Sequence, residues 1–79
     1  MNKYYITVAE DQPHGPGYFT VNAEDEWQAR KLTHMALNGR WCSTYGRLED
    51  IHPLNRIFRG NISRRYFDPR PIIDFPEEG

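Results

Sequence analysis

From Asn22 to Gly39 the chain has little choice of local structure, because every signal in that stretch points to a helix. Asn22 is placed to cap the N-terminus by accepting from the free backbone N–H of Asp25. Glu24, Asp25 and Glu26 put negative charge in the first turn, where the helix dipole favours it. Gly39 suits the left-handed residue that closes a helix C-terminus, and no proline interrupts the run. At about 3.6 residues per turn, Ala29, Leu32, Thr33 and Ala36 share one stripe, with Met35 and Leu37 on its flanks. The stripe is narrow and rich in alanine, which suits close packing on a sheet rather than a helix bundle.

The opposite face carries Trp27, Lys31, His34 and Asn38, with Arg30 beside them. A tryptophan at the centre of a polar face needs an explanation. Small domains often use tails to cover aromatics, so the plain reading is that the C-terminal tail or a loop lies over Trp27. The sharper reading is a partner-binding anchor, because Trp and Arg are enriched at interface hot spots. His34 reads as an ordinary surface histidine that would share such an interface with Trp27 and Lys31.

Before the helix, residues 3–9 alternate Tyr4, Ile6 and Val8 with Tyr5, Thr7 and Ala9, the period-2 pattern of a half-buried strand. Residues 10–17 contain two prolines and two glycines and read as a loop. Residues 18–22 form a second strand with Phe19 and Val21 facing inward, and an antiparallel hairpin is expected. After the helix, Trp41 and Tyr45 are expected to close the core, and a short or bulged third strand is expected near Tyr45–His52, ended by Pro53. The expected fold is α+β: a small antiparallel ββαβ sheet in the order 2-1-3, with one helix on one face. Tyr5, Thr7, Tyr18 and Thr20 would then mark the other face.

The remainder divides into an arginine- and aromatic-rich segment, residues 53–67, and a proline-rich tail, residues 68–79, within one domain of 79 residues. Residues 54–67 fit either a helical turn ended by Gly60 or a hairpin turning at Gly60-Asn61; their β-branched and aromatic content favours the hairpin or an extended run. The tail is too proline-rich for helix, so an extended strap held down by Ile72, Ile73 and Phe75 is expected.

The formal net charge is −1, but the charges are segregated. Residues 1–39 hold Lys3, Arg30 and Lys31 against Glu10, Asp11, Glu24, Asp25 and Glu26. Residues 40–70 hold Arg40, Arg47, Arg56, Arg59, Arg64, Arg65 and Arg70 against Glu49, Asp50 and Asp68, and the tail from Pro71 holds only acids. Interleaved arginines and aromatics in Arg56–Phe67 have three readings. They can dock a protein partner, through Arg56, Arg59, Arg64, Arg65 and Tyr66. They can bind phosphates and stack bases. Or they can form a solvated edge strand whose charges deter aggregation. The small net charge argues against nucleic acid as the whole explanation.

Chemistry is not encoded in any recognisable motif. Cys42 and the histidines His14, His34 and His52 lack a nucleophile–base signature and zinc-ligand spacing, and His14 beside Glu10 and Asp11 has no metal-site spacing. No enzyme, metal or cofactor is expected. One cysteine fits a reducing cytoplasm, and neither a secretory signal nor a membrane span is expected.

The run from Tyr18 to Ala36, a strand passing into a helix with the spacing Ala29-x-x-Leu32-x-x-x-Ala36, resembles small phage-encoded inhibitors. Several single-domain anti-CRISPR proteins acting on type I surveillance complexes look like this in length and element order. A small phage inhibitor of bacterial RNA polymerase is similar. The resemblance spans residues 3–52; the arginine segment and the tail have no counterpart in it, so no family binding residues carry over. It implies a compact protein, monomer or weak dimer, that works in the host bacterial cytoplasm. It would bind a type I CRISPR surveillance complex and block target DNA binding. The alternative is a small regulator binding nucleic acid or RNA polymerase.

Overall fold

Helix α1 spans Glu26–Leu37. Its cap is Asp25, not Asn22, whose carboxylate accepts from Gln28 N–H at 2.7 Å while the Gln28 side-chain oxygen accepts from Glu24 N–H at 2.7 Å. This varies a capping box, Asp-x-x-Gln, with the glutamine reaching the N–H before the cap residue, and it lies three residues later than the first candidate cap. Asn22 instead lies in a strand, opposite Lys3. At the other end Asn38 takes the left-handed conformation (φ 53°) and Gly39 follows it (φ 76°), with Gly39 N–H donating to His34 O at 3.1 Å. Ala29, Leu32, Thr33 and Leu37 are buried, and the Thr33 hydroxyl is satisfied by the Ala29 carbonyl at 2.7 Å.

The computed structural model describes residues 1–9, 11, 15–64 and 70–76. Five strands form one sheet: β1 (Asn2–Val8), β2 (Gly17–Ala23), β3 (Thr44–Tyr45), β4 (Phe58–Arg64) and β5 (Pro71–Asp74). Their order is β3-β1-β2-β4-β5. This differs from the expected three-strand layout, because β2 is no longer an edge. β1 and β2 pair antiparallel from Asn2↔Ala23 to Val8↔Gly17. On the far side of β2 runs β4, parallel to it, and β5 closes the sheet antiparallel to β4. Gly60-Asn61 is therefore not a turn but the middle of a strand, and β4 is not an exposed edge.

The third strand is also shorter than expected. Only Thr44 and Tyr45 pair with β1, opposite Ile6 and Tyr5. Ahead of them Thr7 bonds to both Ser43 (3.0 Å) and Cys42 (2.8 Å), the two-against-one pattern of a β-bulge. Residues 48–50 and 53–55 form single 3-10 turns instead of strand.

The core lies between α1 and the sheet. Ile6, Val8, Phe19, Val21, Ala23 and Ile62 meet Ala29, Leu32 and Leu37, with Tyr4, Ala36, Trp41 and Ile73 packed on the margin. Each large aliphatic or aromatic side chain removed from water here stabilises the fold by roughly 1.5–3 kcal/mol. Tyr45 is not among them: opposite Tyr5, it belongs to the other face. That face has its own cover. The chain must cross it to pass from β3 to β4, since α1 occupies the first face. Ile51 on this crossing is fully buried yet outside the helix-side cluster, and Thr7 and Thr20, which share a face of β1 and β2 with Tyr5 and Tyr18, are buried too. Tyr5, Tyr18 and Phe58 extend the layer, with ring centroids 5.8 and 5.6 Å apart.

Two close approaches require glycine. A Cβ on Gly17 would lie 2.5 Å from the Ile57 carbonyl, and one on Gly60 would lie 2.7 Å from the Asp74 carbonyl. Side chains there would push β4 off β2 or β5 off β4. No helix among the described residues is long and apolar enough to cross a membrane.

Candidate partner-binding groove

On the solvent side of α1, Trp27, Lys31 and His34 follow one another at i, i+4 and i+7, and the residue ending the series, Asn38, leaves the helix in the left-handed conformation. The paired positive-φ residues Asn38 and Gly39 turn the chain back, and Trp41 comes to rest beside the helix instead of beyond its end. Between helix and returning chain lies a cavity of about 420 Å3, lined by Trp27, Arg30, Lys31, His34, Met35 and Trp41. Gly39 also serves the wall: the His34 ring would sit 3.0 Å from a Cβ at that position.

The groove has an apolar body and a cationic rim. Trp27 is 72% exposed and Met35 47% exposed, whereas Trp41 is half-buried against the core. The Lys31 ammonium stands 5.5 Å from the Trp27 ring centroid, a cation–π contact that holds both side chains in place. Arg30 bonds to Glu26 at 3.1 Å across one helical turn. Among the described residues no part of the tail covers Trp27. Its ring shares the groove lining with Trp41 and Met35.

The arginines of the other candidate surface are deployed differently. Arg56 donates to the Ile51 carbonyl (Nε, 2.9 Å) and to the Glu49 carbonyl (2.9 Å). Arg59 is the extra residue of a β-bulge, since Tyr18 faces Phe58 and Phe19 faces Gly60. The bulge aims its side chain at the β1–β2 loop, where Nε donates to the Pro16 carbonyl at 2.7 Å. Arg64 is exposed at the end of β4, beside a smaller hollow of about 240 Å3 shared with Met1, Asn22, Gln28 and Ser63. Arg65 and Tyr66 lie outside the described residues, as does His14. The structure thus brings Trp27, Lys31 and His34 together in one groove whose lining includes none of Arg56, Arg59 and Arg64.

Sequence reasoning had assigned Trp41 to the core alone and had set Met35 on the flank of the buried stripe; both line the groove. The signal for Trp41 was present in Asn38-Gly39, a left-handed pair that reverses direction just before a large aromatic. Among the described residues no group of three or more His, Cys, Asp or Glu is placed to hold a metal ion, and Cys42 is exposed without a described base beside it. The groove combines two indoles and a thioether, which offer apolar surface, with three nitrogen-bearing side chains.

No protein-family model, curated protein or solved structure matches this chain.

Proposed function

We propose that this protein is a docking domain that acts by occupying a surface on a larger protein assembly through the α1 groove. The observation that carries this reading is Trp27, exposed at 72% and lining, with Trp41, an open groove of about 420 Å3. An indole in that setting gains a great deal by being covered: tryptophans are prominent among residues whose truncation costs 2 kcal/mol or more, roughly, at interfaces. The strand–helix–strand layout supports a choice of assembly, a type I CRISPR surveillance complex whose capture of target DNA the bound domain blocks.

The two parts are tested separately. The immobilised protein should retain a purified type I surveillance complex, and the retained complex should no longer shift target DNA. Absence of retention at micromolar protein, or retention with DNA capture intact, overturns the choice of assembly. Replacing Trp27 by alanine should abolish retention without changing the thermal midpoint. Undiminished retention by that variant overturns the groove.

A further inference from the structure

The groove is electrically lopsided along its length, and this narrows what it accepts. Toward the helix N-terminus stand Glu24, Asp25 and Glu26; toward the C-terminus stand Lys31 and His34. Arg30, between them, is tied to Glu26 at 3.1 Å, so it offsets the acidic end more than it adds to the basic one. Lys31 is different. Its ammonium rests over the Trp27 ring at 5.5 Å, so pairing it with an anion costs less side-chain ordering than at a lysine with no such contact. The lining contains Arg30, Lys31 and His34 and, among the described residues, no carboxylate.

We infer that the Trp27–Trp41 groove receives an acidic peptide segment of a protein partner in one orientation. An apolar or aromatic side chain enters between the two indoles, a carboxylate meets Lys31 and His34, and the end lying toward Glu24–Glu26 carries no negative charge. This rests on the docking reading above. From Trp27 to His34 the helix rises about 10 Å, which matches roughly three residues of extended chain. A peptide can place its charges on one side of its anchor. A nucleic acid strand cannot, because it carries a negative phosphate at every nucleotide. A strand laid along the groove would bring phosphates toward Glu24, Asp25 and Glu26 as well as toward Lys31. Charge matching at a groove rim sets orientation and partner choice more than raw affinity.

A random display library of peptides about a dozen residues long, selected on the immobilised full-length protein, tests the inference. Sequences that also bind the Trp27→Ala variant are discarded. Enriched peptides should carry Asp or Glu on one side of an aromatic or branched aliphatic residue. Lys31→Glu should weaken them by about tenfold or more, in line with a charge pair at an interface. Exchanging the peptide acids for lysines should restore binding to that variant. Neutral or basic winners, failure of the charge exchange, no enrichment over Trp27→Ala, or displacement of the winners by oligothymidine overturns the proposal. If Trp27→Ala still abolishes retention of the intact partner assembly while Lys31→Glu does not, the acidic-peptide inference fails and the docking reading stands. If Trp27→Ala retains the assembly, the docking reading itself fails.

Discussion

Two regions of this molecule are rich in the residue types that make interfaces, and the fold uses them in opposite ways. The exposed stripe of α1 holds Trp27 and Lys31 out beside a groove. Two arginines of the segment before and within β4 are held by backbone oxygens instead: Arg56 by Ile51 and Glu49, Arg59 by Pro16. The difference follows from what surrounds each region. A helix satisfies its own carbonyls, so its outward side chains are left for other partners. The β1–β2 loop and the crossing over the outer face lack a regular ladder, and their carbonyls need donors. A guanidinium, with five N–H groups in a fixed fork, supplies them well. Arginine count in a sequence therefore overstates contact surface wherever irregular backbone lies close by.

The comparison can be broken most forcefully at Trp27. Trp27→Ala should weaken partner binding by about 2 kcal/mol or more, while its stability, read from urea unfolding, moves by less than about 0.5 kcal/mol. The reverse profile belongs to Arg59. Arg59→Ala removes a half-buried charge-assisted bond to Pro16 O and should cost about 1–3 kcal/mol of stability, with binding through the groove unchanged. Arg56→Ala, whose two bonds are partly open to water, should cost about 1–2 kcal/mol, seen as faster amide exchange in residues 49–57. Smallest of all, Arg64→Ala should leave unfolding within about 0.5 kcal/mol, since its side chain is exposed. A large stability loss at Trp27, or a binding loss at Arg59 with stability intact, would reverse the assignment of the two regions.

A further pair of substitutions sharpens the picture of the two sheet faces. Phe19→Ala, in the helix-side core, should destabilise by about 3–5 kcal/mol. Ile51→Ala should cost about 2–5 kcal/mol if the crossing segment is as firmly packed as its burial indicates, and both are measurable by thermal or denaturant unfolding.

Much of the fold was legible because it is local. The alternation of Tyr4, Ile6 and Val8, the inward Phe19 and Val21, and the buried Ala29, Leu32 and Thr33 stripe are periodicities set by backbone geometry within a few residues. The cap was mislocated because two acceptable caps, Asn22 and Asp25, lie in one stretch, and the pairing of Asn22 with Lys3 in the sheet decided between them. The mistaken turn at Gly60-Asn61 has a similar origin. Glycine signals either a turn or a tight approach, and here the Asp74 carbonyl across the sheet demands the second.

By itself the sequence determined one helix, a strand pair before it, and which side chains those elements bury. Those properties depend on neighbours along the chain. Only the tertiary structure decided that β4 would slot in parallel beside β2, that the tail would complete the sheet, and that Arg56 and Arg59 would be spent on carbonyls. It also brought Trp41 into the same groove as Trp27. Each of these joins residues far apart in the chain, and no periodicity within a segment records which distant backbone will arrive beside it.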